Sequence, residues 1–277
     1  MKPAAGYIGG KKQLARTIVE RIEAIPHETY AEPFVGMGGV FFRRRAIPKG
    51  EIINDRSGDV ATFFRILQRH YVPFMDMLKW QLTGRKEFER LKASDPSTLT
   101  DLERAARFLY LQRTAFGGKV SGRNFGVDPL GCRFNVSKLA PTLEDLHARL
   151  ASVVIECLPW ADFIARYDRP GTLFYLDPPY WGSEGDYGKE LFGRDDFGRM
   201  ADTLAGLQGR FILSLNDTPE VRRLFARFRI ERARVTYTVN GGRGTSAREV
   251  IITGPGKRSH SRFKPTSRGV TFEVARG

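Results

Sequence analysis

The chain has 277 residues, a length that suits one α/β domain with an inserted subdomain. Its formal net charge of +14 favours a polyanionic partner such as nucleic acid, although a basic surface that only aids solubility is the alternative. Two distant cysteines exclude a disulfide scaffold or cysteine zinc site, and the longest apolar runs fall short of the roughly 18 residues of a membrane span. We therefore expect a cytoplasmic protein.

The first segment predicts a βαβ unit that begins with a glycine-rich loop. The stretch GYIGGKK precedes a predicted helix over residues 13–25, in which Leu14, Ile18 and Ile22 recur at helical spacing. The run TYAEPFVG predicts a short strand and a glycine turn, GVFFRRRA predicts a helix, and EIIND predicts a second strand that ends on Asp55.

Residues 57–150 have a different character and are predicted to be an inserted helical subdomain. Leu102, Ala105 and Leu109 recur at helical spacing within it. The stretch FGGKVSGRNFGVDPLGCRFNVS interrupts the helical pattern with glycine, basic and aromatic residues. A long irregular segment inside a compact domain is typical of a functional loop.

Strand and helix patterns alternate again after residue 150. The predicted strands SVVIECL, TLFYL and RFILSLN are separated by predicted helices over residues 160–167 and 195–207, and a further helix starts at Pro219. This alternation predicts a parallel sheet covered on both faces, and IERARVTYTV and AREVIIT predict an antiparallel hairpin at its edge. We predict that residues 1–56 and 151–255 form one α/β domain, and that residues 256–277 form a basic tail.

The glycines near the start are compatible with a cofactor that lacks phosphates. The phosphate-binding P-loop pattern fails at Ala5 and Lys12, and the dinucleotide-binding pattern that starts at Gly36 fails at Phe41. Asp55 follows Gly36 by 19 positions, where an acid suits ribose hydroxyls. S-adenosylmethionine fits these features, whereas an ordinary tight turn and a helix N-cap at Asp55 are the alternatives.

The segment TLFYLDPPYWG carries the strongest chemical signal of the chain. Asp177 ends a predicted buried strand, where open parallel sheets bind ligands. Pro178 and Pro179 restrict the backbone, so the Asp177 carboxylate and the Pro178 carbonyl are two preset acceptors for an NH2 group. Tyr180 can stack on a base that has left the helix. An inert turn or a polyproline ligand is the alternative, and the residue pattern of the zinc-dependent deaminases does not occur.

In combination and in order, these segments resemble the N6-adenine-specific DNA methyltransferases of the Dam-like, alpha-group type. GYIGGKK resembles the N-terminal cofactor motif, AEPFVGMGGVFF the glycine motif, IIND the ribose-binding acid, and LDPPY the catalytic tetrapeptide. RFILSLND and VNGGRGTSAREVIIT resemble the late motifs. The resemblance spans about residues 6–254, and it implies a Rossmann-like class I S-adenosylmethionine-dependent methyltransferase fold with a mostly parallel sheet and a DNA target-recognition insertion.

The resemblance also implies roles for individual residues. The catalytic set would be Asp177, Pro178, Pro179 and Tyr180. The residues implied to contact S-adenosylmethionine are Tyr7, Lys11, Glu32, Pro33, Phe34, Gly36, Gly38, Asp55 and Asp177. The residues implied to contact DNA are Lys119, Arg123, Asn124, Arg133 and Asn135. The basic tail lies outside what the family requires.

The sequence thus predicts a site-specific enzyme that binds duplex DNA, flips an adenine and transfers a methyl group from S-adenosylmethionine to its exocyclic N6 amine. We expect a monomer that needs neither a metal nor a membrane. Methylation of the exocyclic N4 amine of cytosine is an alternative, because that amine also presents two hydrogens to the two acceptors. A DNA-binding protein that holds the cofactor without turnover is a second alternative.

Overall fold

A computed structural model of the chain describes residues 1–7, 11, 14–118, 122–126, 133–184, 192–237 and 245–254. Within these residues, one sheet contains seven strands. They are β1 (Thr29–Glu32), β2 (Gly50–Asn54), β3 (Val154–Glu156), β4 (Thr172–Leu176), β5 (Arg210–Asn216), β6 (Arg229–Tyr237) and β7 (Thr245–Gly254).

The sheet has the order β3-β2-β1-β4-β5-β7-β6. Strands β1 to β5 pair in parallel, whereas β7 runs antiparallel to both β5 and β6. The predicted mostly parallel sheet with an antiparallel edge hairpin is therefore confirmed. The hairpin folds back so that its second strand, β7, adjoins β5.

The described helices are α1 (Ala15–Glu23), α2 (Gly58–Arg69), α3 (Tyr71–Lys79), α4 (Arg85–Ala93), α5 (Asp101–Thr114), α6 (Val136–Leu150), α7 (Trp160–Tyr167), α8 (Asp196–Ala205) and α9 (Pro219–Leu224). Side-chain caps fix several starts. Thr100 and Glu103 form a reciprocal capping box at α5, and the Asn135 and Thr218 side chains cap α6 and α9.

Helices cover both faces of the sheet. Successive side chains of a strand point to opposite faces, and each face packs against its own hydrophobic cluster. On β4, Leu173 and Tyr175 face the cluster that includes α1, α2, α5 and α6, whereas Phe174 and Leu176 face the cluster that includes α7 and α8. Together with α1, helices of the predicted insertion therefore form the layer on one face. The division of the chain at residues 57 and 150 stays a prediction.

The link between β1 and β2 differs from its prediction. The stretch GVFFRRRA forms only a short 3-10 turn at Phe41–Arg43, and Arg44 is extended. The buried Arg44 guanidinium donates to Glu51 at 2.8 Å and lies 3.6 Å from the centre of the Tyr30 ring. These contacts hold Arg44 against the sheet, so the chain turns toward β2 instead of extending a helix.

Candidate active site

The candidate active site lies at the carboxyl ends of the central parallel strands. From β1 the chain proceeds outward to β2 and β3, whereas from β4 it proceeds to β5 on the other side. In such sheets a crevice opens where the strand order reverses, and ligands bind there. Glu32, Asn54, Asp177 and Asn216 end or directly follow the four strands around this point.

Asp177 is held by a line of polar side chains from β4 and β5. Ser214 donates a hydrogen bond to the Asp177 carboxylate oxygen Oδ1 at 3.1 Å, and the Tyr175 hydroxyl lies 2.9 Å from the Ser214 hydroxyl. Because the single hydroxyl hydrogen of Ser214 is used on Asp177, Tyr175 must donate to Ser214. Both side chains are fully buried, so the carboxylate has a fixed orientation.

Lys11 joins the N-terminal segment to this corner. Its ammonium lies 2.9 Å from Asp177 Oδ1, 3.3 Å from the carboxylate of Glu249 on β7, and 4.1 Å from the centre of the Tyr180 ring. It also donates a hydrogen bond to the Tyr180 hydroxyl. The Lys11 side chain is only 1% exposed, so a single buried cation is shared between two carboxylates.

The two prolines of the corner are buried, and Tyr180 is half-buried against the cluster that contains α8. Among the described residues, none donates a hydrogen bond to the Pro178 carbonyl oxygen. Burial raises the pKa of Asp177 above its ordinary value, although the charge and hydrogen bond of Lys11 partly oppose this. The corner therefore offers a carboxylate that binds a positively charged or NH-rich partner strongly.

The glycine turn, Pro33 to Gly38, needs its glycines for steric reasons. Gly38 has a φ of +72°, and a Cβ there would lie 2.3 Å from the ring of Phe42. Gly36 has a φ of +50°, and a Cβ there would lie 3.0 Å from the Tyr7 ring. The turn is therefore compact, and Tyr7 of the N-terminal segment packs directly on it.

Asp55 ties the glycine turn to the start of α2. Its two carboxylate oxygens accept the backbone N–H groups of Gly36 and Ser57, each at 2.9 Å. Burial raises the pKa of Asp55 to about 6, although these two N–H groups oppose the shift. Ser57, not Asp55, is the N-cap residue of α2, so the alternative role as a helix cap does not describe Asp55.

Glu32 adds a third acid to the same edge. It accepts a hydrogen bond from the Tyr30 hydroxyl at 2.8 Å and is 2% exposed. Burial raises the pKa of Glu32 to about 8, and the charges of Asp177 and Asp55 raise it as well. Asp55 and Asp177 thus both lie close enough to Glu32 to disfavour its charged form, and a cation in the crevice would oppose that effect.

The remaining predicted cofactor contacts border this crevice. The Pro33 carbonyl accepts from the Asn54 side chain at 2.9 Å, and the half-buried Phe34 ring meets the Phe192 ring edge-on at 5.8 Å. Asn54 also exchanges hydrogen bonds with the backbone of Leu158, at 3.1 and 2.8 Å. One amide therefore fixes the turns after β1 and β3 relative to each other.

Sequence reasoning missed Asn54, Ser214 and Glu249 as residues of the site. Each is a fully buried polar side chain that directly adjoins apolar residues, as in EIIN, FILSL and EVII. A buried polar group is normally retained with a hydrogen-bond partner, so a lone polar residue in an apolar strand is a usable signal. Its partner, however, comes from a distant part of the chain.

The candidate DNA-contacting residues are placed differently from one another. Asn124 is exposed, whereas Arg123 is 8% exposed and donates to the Gln112 side chain at 3.2 Å. Arg133 packs against Gly126, and Asn135 caps α6. Lys119 and the tail from residue 256 lie outside the described residues. Contact of this group with DNA stays a prediction, and of the described members Asn124 and Asn135 are the exposed ones.

Neither a metal centre nor a membrane segment is found in the part of the chain that the structure describes. There, the His, Cys, Asp and Glu side chains form no group of three or more suited to a metal ion. In the same ranges, none of the helices has both the length and the apolar character needed to cross a membrane.

Comparison with known families is consistent with this geometry. Residues 7–239 match the family described as D12 class N6 adenine-specific DNA methyltransferase. The match covers the glycine turn, Asp55 and the Asp177 corner together, and it favours adenine over cytosine as the methylated base.

Curated relatives are similar over most of the chain. Type II methyltransferase M1.LlaDCHI of Lactococcus lactis subsp. cremoris is 27% identical over 279 residues, covering 92% of this chain and 96% of that protein. Type II methyltransferase M.CviBI of Paramecium bursaria Chlorella virus NC1A is 23% identical, over 81% of this chain and 86% of that protein. The DNA N-6-adenine-methyltransferase of Escherichia phage P1 is 28% identical over 83% of this chain, but only 31% of that protein is covered.

Proposed function

Because the chain belongs to the D12 class N6 adenine-specific DNA methyltransferases, we propose that the crevice between β1 and β4 binds S-adenosylmethionine beside an adenine that has been rotated out of duplex DNA. Asp177, Pro178, Pro179 and Tyr180 then hold the adenine for methylation of its N6 amine. The observation that carries this proposal is the fixed Asp177 carboxylate at the point where the strand order reverses.

The crevice has the charge and the hydrogen-bonding groups that S-adenosylmethionine requires. When bound, this cofactor supplies an electrophilic methyl group on a positively charged sulfur. The buried Glu32 and the half-buried Asp55 favour a cationic ligand, because each has a raised pKa and its charged form gains from a nearby positive charge. Asp55 has lone pairs left for ribose hydroxyls, and Gly36 lets the backbone approach the ligand closely.

The Asp177 corner activates the amine by oriented hydrogen bonding. The Asp177 carboxylate and the Pro178 carbonyl each accept one N–H of the amine, which draws the nitrogen lone pair out of the ring system. Positive charge that develops on the nitrogen strengthens both hydrogen bonds, so the corner stabilises the transition state more than the ground state. Tyr180 provides a ring on which the base stacks. No covalent bond between enzyme and base is needed.

The helices between residues 57 and 150 are proposed to carry DNA recognition. The loop between α5 and α6 contains the exposed Asn124 and basic residues on either side of it. The net charge of +14 favours phosphate contacts along the duplex, and the residues from 256 onward contribute six of the chain's basic side chains.

Substitution of Asp177 tests the proposal. Asp177→Asn keeps the size of the side chain but removes the charge, so methyl transfer should fall by about a hundredfold or more while DNA affinity stays within a few-fold. Tritium transfer to DNA and mass analysis of the nucleosides measure the rate and identify the methylated base. Asp202→Asn is a matched control, because the Asp202 carboxylate is 73% exposed in an ion pair on α8.

Wild-type transfer by Asp177→Asn would contradict the role of this carboxylate. If the wild-type chain produced N4-methylcytosine, the corner would serve the alternative substrate. If the wild-type chain bound the cofactor without producing any methylated nucleoside, it would be a binding protein without turnover.

A further inference from the structure

The Lys11 ammonium lies at two of the three groups that are proposed to contact the adenine, the Asp177 carboxylate and Tyr180. It lies 2.9 Å from Asp177 Oδ1, the oxygen that Ser214 also uses, and 4.1 Å from the centre of the Tyr180 ring. A base that stacked on this side of Tyr180 and donated to Asp177 would take the same volume. Lys11 is thus an internal substitute for the amine.

Retention of Lys11 in this position would oppose the reaction. Positive charge develops on the N6 nitrogen as the methyl group is transferred, and an ammonium only a few ångströms away would repel that charge. Repulsion between like charges is strong in a site that excludes water. Efficient transfer therefore requires Lys11 to leave Asp177 when the base enters.

Glu249 is in a position to accept Lys11. It lies on β7 opposite Asn216, is 0% exposed, and its carboxylate is 3.3 Å from the Lys11 ammonium. The ammonium already lies between the two carboxylates, so a shift of its flexible side chain is enough to change its main partner. A buried ammonium without a carboxylate would be strongly unfavourable, and Glu249 prevents this when Asp177 is used by the base.

We propose that Glu249 is a positioning residue that draws Lys11 away from Asp177 when the target adenine binds. In the absence of the base, Lys11 pairs with Asp177; when the base enters, Lys11 moves to Glu249 and Asp177 becomes available to the amine. This inference rests on the proposed function of the corner. It assigns to Glu249, which the motif analysis did not single out, a part in capture of the base, while Asp177, Pro178 and Tyr180 remain the groups that touch it.

The test compares binding of two otherwise identical DNA duplexes. The recognition site is first mapped by long-read sequencing of DNA from a host that expresses the chain. One duplex then carries adenine at the target position, and the other carries purine, which lacks the N6 amine. The ratio of the two dissociation constants measures how much the amine contributes to binding by each variant.

Glu249→Gln should reduce this preference for adenine by about tenfold. Without the Glu249 carboxylate, Lys11 has no second anionic partner and stays paired with Asp177. The single-turnover methylation rate should fall by a similar factor, and the dissociation constant for S-adenosylmethionine should change by less than about threefold. Glu249→Asp retains the charge and should recover much of the preference. Glu231→Gln is a matched control on the neighbouring strand, where Glu231 pairs with Arg21 near the surface.

An unchanged preference for adenine in folded Glu249→Gln would overturn the inference. An equal loss of affinity for both duplexes, accompanied by a lower melting temperature, would also overturn it, because that pattern indicates a structural role. Failure of the wild-type chain to methylate the adenine duplex would instead contradict the proposed function.

A measurement on the wild-type chain keeps the inference testable if Glu249→Gln does not fold. The side-chain ammonium signal of Lys11 in nitrogen-15 spectra, assigned with Lys11→Arg, should shift on addition of the adenine duplex and not with the purine duplex. A shift with S-adenosylmethionine alone, and none with adenine, would mean that the cofactor moves Lys11 and would overturn the role of the base.

Discussion

At the scale of single residues, the orientation of Asp177 depends on a hydroxyl from another strand. The Ser214 hydroxyl donates its single hydrogen to Asp177 Oδ1, and the Tyr175 hydroxyl donates to the oxygen of Ser214. All three groups are held in a sheet that leaves little room for other conformations. The proposed role of Asp177, to accept an N–H of the adenine amine, would gain from such support, because a misplaced acceptor stabilises the transition state less.

Ser214→Ala should lower kcat by about tenfold through loss of a hydrogen bond to a charged group, while KM for S-adenosylmethionine stays nearly constant. Tyr175→Phe is the comparison, because the Ser214 hydroxyl can still donate to Asp177 in that variant. Its kcat should remain within about threefold of the wild type. Steady-state kinetics on mapped sites measures both, and equal losses in the two variants would argue against a specific role for Ser214.

Glu32 gives the site a distinctive pH dependence. The pKa of Glu32 is raised by burial from 4.5 to about 8, so the folded chain keeps a proton that the unfolded chain has released over this range. The unfolded state then binds fewer protons, and the free energy of unfolding falls as pH rises. Asp55, whose pKa is raised to about 6, acts in the same direction over a lower range.

We therefore predict that the chain loses stability on the order of 3 kcal/mol between pH 5 and 8, and that Glu32→Gln flattens this dependence. Urea denaturation at several pH values measures it. Glu20→Gln is the control, since the Glu20 side chain is 60% exposed in an ion pair with Arg16. A pH dependence in Glu32→Gln as steep as that of the wild type would show that other groups cause it.

At the scale of elements, the glycine turn after β1 brings together the Tyr7 segment, α2 and the end of β2. Asp55 fixes the turn by accepting the Gly36 N–H, and the Asn54 carbonyl accepts the Val35 N–H at 2.9 Å. Gly38 lets the backbone pass against Phe42, whose ring packs 5.1 Å from Phe41 within the core. The turn is thus specified by steric fit as well as by hydrogen bonds.

Gly38→Ala should destabilise the chain by about 2–4 kcal/mol, because the new Cβ meets the buried Phe42 ring and the positive φ is strained. Cofactor affinity should fall as well, since the turn borders the crevice. Gly198→Ala provides the control, because Gly198 lies in α8 with nothing within 4 Å of an added Cβ. That substitution should be neutral or stabilising by up to about 1 kcal/mol, which would show that lost glycine flexibility alone is not the cause.

At the scale of the whole molecule, the helical layer and the sheet share one hydrophobic core. Leu109 of α5, Leu143 of α6 and Tyr175 of β4 belong to the same cluster. Arg149 at the end of α6 also binds Glu51 of β2 through two contacts of 2.6 Å. The layer that carries the proposed DNA contacts therefore also supports β2 and β4, which border the candidate active site.

This shared core predicts that α5, α6 and β4 unfold together. Their amide hydrogens should exchange with the same free energy of opening when hydrogen exchange is measured at increasing denaturant concentrations. Exchange of the helices at a clearly lower free energy than β4 would mean that the insertion is an independent unit.

The local patterns of the sequence determined most of the elements and placed Asp177 at the end of a buried strand. Alternating apolar runs and helical spacing predicted α7, β4 and β5, because both are short-range consequences of burial. Because DPPY directly follows an apolar run, the sequence also predicted that Asp177 lies at the end of a strand. The GVFFRRRA segment was predicted wrongly as a helix, because the buried contacts of Arg44 with Glu51 and Tyr30 outweigh local preference.

Only the tertiary structure decided which distant groups surround Asp177. Lys11, Ser214 and Glu249 come from three separate parts of the chain, and their meeting depends on the strand order β4-β5-β7. The tertiary structure also decided the surroundings of Arg123. The sequence predicts that this basic residue contacts DNA, but its side chain is buried and bonded to Gln112. Burial and partner choice depend on the packing of the whole chain, so no short stretch of sequence contains them.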